Sequence, residues 1–188
     1  MSDVVTVLGM SGSLRKGSFN TAALRATGEL LPEGMTLETI GLGDLPHYDD
    51  DVRVKGYPPV VQHFRDRIKA ADAILFVTPE YNYSVSGVLK NAIDWASRAP
   101  DQPFNMKPCA IISASGSLLG GVRAQYHLRH MCVSLNCFPL NQPQVYITEA
   151  GKKIDAEGRL TDTVARDLIR QLMAELKSFT LRWKRGAA

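Results

Sequence analysis

Apolar residues alternate along this chain between two patterns. Five short runs read as strands: Val4 to Met10, Thr36 to Leu42, Ala73 to Thr78, Cys109 to Ala114 and Gln144 to Thr148. The first and third are almost wholly apolar, as suits strands of a parallel sheet covered on both faces. Between and after them, Ser18 to Leu31, Pro58 to Ala71, Ser86 to Arg98, Gly121 to Cys137 and Thr161 to Trp183 carry apolar residues at helical spacing. In the first of these, Phe19, Ala22, Ala23, Ala26, Leu30 and Leu31 share a face, and Pro32 with Gly34 closes the helix.

Strict strand–helix alternation predicts right-handed βαβ units and a doubly wound α/β fold. With five strands the expected order is 2-1-3-4-5, which puts a ligand at the carboxyl ends of the first and third strands. The loops there are Ser11 to Asn20, Pro79 to Ser86 and Ser113 to Gly121. A fourth segment, Gly43 to Pro59, reads as a long solvated loop holding Asp49, Asp50 and Asp51.

The chain has 188 residues, of which 45% are hydrophobic and 22% charged, so one globular domain over residues 1–188 accounts for it without disulfide or metal support. The net charge of +3 is too mild to imply nucleic acid, and no basic stripe interleaves with aromatics. Cys109, Cys132 and Cys137 lie in apolar surroundings and read as buried thiols of a reducing cytoplasm. The start, Met1 to Val5, lacks the basic region of a leader, and Pro139 and Pro143 interrupt the uncharged run Met131 to Thr148, so no membrane association is expected.

The three loops carry the chemistry. Gly12-Ser-Leu-Arg-Lys-Gly-Ser18-Phe-Asn20 opens into a helix. Unsatisfied N–H groups there, with Ser13, Ser18 and Asn20 as donors and Arg15 as charge, suit a phosphate monoester. Walker and dinucleotide fingerprints are both missing. Pro79-Glu-Tyr-Asn82-Tyr83 offers flat surfaces and amide donors for a planar heteroaromatic. Ser115, Gly116 and Ser117, followed by Gly120 and Gly121, let a ligand approach the backbone. His127 and His130, three apart, lack the converging partners zinc requires, and no metal is expected. Cys132 and Cys137 read as helical core residues with no basic neighbour to activate a thiol. Arg98 ends its helix and suits either the helix dipole or a nicotinamide-nucleotide phosphate.

Gly12-Ser-Leu-Arg-x-x-Ser18-x-Asn20, Pro79-Glu-Tyr-Asn82, Leu89-Lys-Asn-Ala-Ile-Asp-Trp95 and Gly-Gly-x-Arg123-x-x-Tyr126-x-Leu-Arg129, in that order, resemble the NADPH-dependent FMN reductases. That flavodoxin-like group includes quinone, azo-dye and chromate reductases. The resemblance implies FMN, with Ser13, Arg15, Ser18 and Asn20 on its phosphate, Pro79, Glu80, Tyr81 and Asn82 on the isoalloxazine, and Ser115, Gly116 and Ser117 at the far edge. NADPH or NADH is the implied donor and ping-pong transfer to small-molecule acceptors the implied reaction, with no obligatory catalytic side chain, and Tyr83 and Arg98 are candidates for the substrate side. It further implies a homodimer or homotetramer, with the helix of Asn91, Asp94 and Trp95 contributing to pairing. The alternative is a flavodoxin-type electron carrier without nicotinamide activity, against which an isoelectric point near 8.8 weighs.

Overall fold

The computed structural model describes residues 4–186; Met1 to Asp3, on which part of the leader reading rests, and the last two residues lie outside the described residues. The strands are β1 (Val5–Ser11), β2 (Met35–Ile40), β3 (Ala73–Thr78) and β4 (Pro108–Ala114), followed by two short ones, β5 (Phe138–Pro139) and β6 (Val145–Ile147). All pairings are parallel, in the order β2-β1-β3-β4-β5, with β6 also paired to β4. The predicted order is therefore the observed one, except that the single fifth strand, expected at Gln144 to Thr148, is divided. Asn141 to Gln144 leave the ladder between the two pieces, and β5 holds Pro139, which has no N–H to extend a ladder.

The helices are α1 (Phe19–Glu29), α2 (Asp50–Arg53), α3 (Pro59–Ala70), α4 (Gly87–Ala96), α5 (Val122–Leu135) and α6 (Thr163–Gly186). The side-chain alternation of the strands explains the two cores. In β3, Ile74 and Phe76 pack with Phe64, Ile68, Leu89 and Trp95 of α3 and α4, whereas Leu75 and Val77 pack with Leu24, Ile169, Leu172 and Leu176 of α1 and α6. Every residue of β3 is buried, as its uninterrupted apolar run requires.

Two expectations change. The loop Gly43 to Pro59 contains the one-turn α2, because Asp49 caps it by accepting from the Asp51 N–H at 2.9 Å and Asp50 accepts from Arg53 and Tyr48 at 2.6 Å each. The acidic triplet thus serves its own turn. The fourth predicted helix stops at Leu135 and not Cys137, since Asn136 adopts the left-handed conformation (φ 49°) that ends helices.

Candidate active site

The helices α1, α4 and α5 start side by side at the carboxyl end of the sheet, the first two capped by a serine and the third from another loop. Ser18 caps α1 by accepting from the Thr21 N–H at 3.2 Å, and Ser86 caps α4 by accepting from Leu89 at 3.2 Å while its hydroxyl donates to the Gly12 carbonyl at 2.6 Å. At the start of α5 stands Gly121, with φ 87° and no side chain to cap with. Glu80, from the loop after β3, supplies that cap: its carboxylate accepts from the N–H groups of Arg123 (3.0 Å) and Ala124 (3.3 Å) and pairs with the Arg123 guanidinium at 3.0 Å. A negative charge at a helix N-terminus complements the dipole, so one carboxylate locks the second loop to the third.

Between these starts lies a cavity of about 330 Å³. It brings together Ser13, Arg15, Ser18 and Asn20 of the first loop, Pro79, Glu80 and Tyr81 of the second, and Ser115 and Gly116 of the third. The first loop is drawn into a turn by the Ser18 N–H donating to the Arg15 carbonyl at 3.1 Å. Gly12 is required where it passes α4, because a Cβ there would sit 2.8 Å from Ser86 Oγ and 3.1 Å from Leu89 Cβ. The exposed Arg15 guanidinium lies 5.1 Å from the centre of the Phe19 ring.

Not every predicted donor is free. Asn20 is 3% exposed and spends its amide on β4, donating to the Ala114 carbonyl and accepting from the Ala114 N–H, both at 2.9 Å. It ties α1 to the end of β4 and so sets the width of the cavity. Glu80 is likewise committed to α5 and Arg123, with only its flank on the cavity.

Asn82 and Tyr83 form the tip of a two-residue hairpin in which Tyr81 and Ser84 exchange N–H···O bonds of 3.0 Å. Both have left-handed φ, 50° and 66°, as a type I′ turn demands. Asparagine tolerates this; tyrosine is strained there by about 1–3 kcal/mol. The strain is held by Arg123, whose guanidinium stacks 3.8 Å from the centre of the Tyr83 ring. Ser117 stands just outside the cavity, its N–H donating to Ser115 Oγ at 3.1 Å.

Arg98 is not at the crevice. Ten residues of α4 carry the chain roughly 15 Å away from it. There Arg98 lies 5.4 Å over the Tyr48 ring and donates to Ser97 Oγ at 2.9 Å, which leaves its other expected duty, at the helix C-terminus. Nor does Trp95 present a pairing surface: it is fully buried, donating to the Pro46 carbonyl at 2.8 Å, while Asn91 bonds Pro46 and Tyr48 of the same chain. His127 shares a 3.0 Å hydrogen bond with Ser84. Phe19 and Ala114 also line the cavity, which the sequence pattern does not reveal, because helical spacing places Phe19 on the core face and Ala114 ends an apolar strand.

A larger cavity, of about 610 Å³, opens at the amino ends of the strands between Lys69, Asp101, Gln102, Lys107 and Asn136. Helix C-termini face it, and their carbonyls are already bonded: Lys107 donates to those of Ala71 and Lys69. The helix N-termini, whose free N–H groups favour anions, border the smaller crevice instead. The three cysteines also gather near this end. The Cys109 and Cys137 thiols as hydrogen-bond partners, opposed by burial and helped by the Arg129 guanidinium, hold the Cys132 thiol below its usual pKa, which corrects the expectation that no basic residue lies near it.

A parallel sheet in this order, with helix N-termini gathered around a crevice where the winding reverses, defines a flavodoxin-like protein. The chain belongs to the family described as NADPH-dependent FMN reductase, which it matches over residues 5–152, and is accordingly an oxidoreductase that works with FMN and a nicotinamide donor. It is 54% identical to NAD(P)H-dependent FMN reductase PA1204 of Pseudomonas aeruginosa, covering 97% of this chain and 98% of that one. With NADPH:quinone oxidoreductase of Arabidopsis thaliana it shares 46% identity over 95% of this chain and 93% of the other. Among solved structures, FerB of Paracoccus denitrificans, a flavoenzyme NAD(P)H:(acceptor) oxidoreductase, superposes with a TM-score of 0.86 at 33% identity, covering 95% of this chain and 98% of that one.

Proposed function

We propose that this chain is an FMN-containing NAD(P)H oxidoreductase, one FMN-binding domain over residues 1–188, that delivers electrons to quinones and to acceptors such as chromate, azo compounds, ferric chelates or free flavin. The observation that carries this reading is the meeting, in one crevice, of a hydroxyl–guanidinium cradle with a proline–tyrosine wall. When bound, FMN would supply the redox chemistry that links a nicotinamide donor to the acceptor, with the two using the site in turn in a ping-pong scheme.

The protein binds and orients. The Ser13 and Ser18 hydroxyls, Arg15 and the first N–H groups of α1 match a phosphate dianion in number and sign. Pro79 and Tyr81 give flat surface to an isoalloxazine, and Asn82 an amide for its polar edge. Ser115, Gly116 and Ser117 leave room for close approach at the opposite edge. Tyr83, stacked on Arg123, borders the side from which nicotinamide and acceptor enter, and Asn20 and Glu80 hold the loops in place. No side chain here need act as acid, base or nucleophile.

Pairing as a homodimer or homotetramer is supported by the apolar residues exposed beside the crevice, Leu118 at 77% and Tyr126 at 58%. The three free cysteines favour a cytoplasmic setting, and among the described residues no helix is long and apolar enough to cross a membrane.

The visible spectrum of the purified protein, followed by anaerobic NADPH, tests the reading. Flavin bands that bleach on mixing support it. Bands that persist favour an electron carrier, and failure of added FMN to bind overturns the site assignment.

A further inference from the structure

Cys109 at the start of β4, Cys132 in α5 and Cys137 just before β5 come from three separate elements, yet their Sγ atoms all lie within 4.8 Å of one another. The Cys109 and Cys137 sulfurs are 4.0 Å apart. Metal–sulfur bonds of about 2.3 Å place the three sulfurs of a trigonal site about 4.0 Å from each other, so the arrangement needs to contract by less than about 1 Å along its longest edge. We propose that these three cysteines form a buried trigonal site for a soft monovalent cation, Cu(I).

The surroundings choose the metal. Thiolates select soft ions such as Cu(I) and zinc, but structural zinc is four-coordinate. Among the described residues no fourth cysteine, histidine or carboxylate joins the cluster. All three cysteines are at most 5% exposed and share a core with Ile111, Leu128 and Leu135, so the site is too apolar to hold a water as the missing ligand. Three-coordination is left, and Cu(I) accepts it. Three thiolates around one monovalent cation carry excess negative charge, and Arg129 stands one turn before Cys132 with its buried Nε unbonded.

Entry is short. Cys137 follows the left-handed Asn136, which lines the 610 Å³ cavity at the amino end of the sheet. Each thiol releases its proton to solvent as its Cu–S bond forms, and neither copper nor sulfur changes oxidation state. The site lies about 20 Å along β4 from Ser115, so it is separate from the crevice and does not rest on the flavin reading.

The test is anaerobic titration of the full chain with Cu(I) against a copper chelator, with X-ray absorption at the copper edge. One copper per chain with three sulfur neighbours is expected. Cys132→Ser and Cys137→Ala should each weaken binding by at least the roughly 10- to 100-fold that loss of a supporting group alone costs. Thermal unfolding followed by circular dichroism shows which variants fold, and Cys137→Ala, nearest the surface, decides the matter if Cys132→Ser does not. Copper retained equally well by the folded variant, nitrogen or oxygen neighbours in the spectrum, or displacement of Cu(I) by an equal amount of Zn(II) would overturn the proposal.

Discussion

The two ends of the sheet solve opposite problems. At the carboxyl end α1, α4 and α5 begin side by side, so backbone N–H groups and the positive ends of dipoles converge. The chain caps them with Ser18, Ser86 and Glu80 and keeps a cavity open among them. At the amino end α3 and α4 finish, presenting carbonyls, and cations of the chain itself close them off. Arg65, only 5% exposed, donates to the carbonyls of Ala96, Arg98 and Asp101 and stacks 4.3 Å over Tyr57, and Lys107 serves α3 in the same way. Helix polarity in a parallel sheet thus sorts the ends into one whose free N–H groups favour an anion and one whose carbonyls the chain satisfies with its own cations.

The largest break in this contrast is expected from Gly121→Val. A Cβ there meets Ser113 Cβ at 2.8 Å, and φ of 87° penalises any branched residue. Strain and overpacking together should cost about 4 kcal/mol in denaturant unfolding and release the third loop from the second. Arg65→Ala breaks the other end: three carbonyls lose a buried charged donor, and unfolding free energy should fall by about 3 kcal/mol with FMN affinity unchanged. Arg15→Ala reverses that pattern. Its side chain is exposed, so stability should move by less than about 0.5 kcal/mol, while the FMN dissociation constant rises roughly 10- to 100-fold in a fluorescence titration. An unchanged constant would remove Arg15 from the phosphate site.

The smallest effect sharpens the amino end. Burial works to raise the Asp72 pKa, but the Lys184 ammonium at 2.8 Å and the Thr6 N–H and hydroxyl outweigh it and hold the carboxyl below its ordinary value. A depressed folded pKa contributes stability that is complete above the unfolded value of about 3.9 and is lost as pH falls through the folded one. Unfolding measured from pH 6 to 2 should show this loss, and Asp72→Asn should flatten that part of the curve.

Much of the fold is legible in the chain's own pattern. Buried β-rich runs such as Ala73 to Thr78 and the alternating helical segments carry the fold class, because periodicity reports which faces are covered, and five alternating strands lead to the observed order. The glycine, hydroxyl and arginine cluster after β1 points to the crevice, and Ser13, Arg15 and Ser18 do line it. The divided fifth strand, the reach of Arg98 and the burial of Trp95 escape that pattern for one reason: each depends on how far an element runs and what it packs against, which local periodicity does not encode.

What the sequence determined by itself is local: which segments are strands or helices, where they turn, and what chemistry each loop offers. Tertiary structure alone decided that Glu80 caps a helix 43 residues away, that Asn20 spends its amide on β4, and that Cys109 meets Cys132 and Cys137. The physical reason is distance along the chain. Caps, ion pairs and sulfur contacts depend on atoms a few ångströms apart in space, and βαβ crossovers bring together residues that no spacing in the sequence relates.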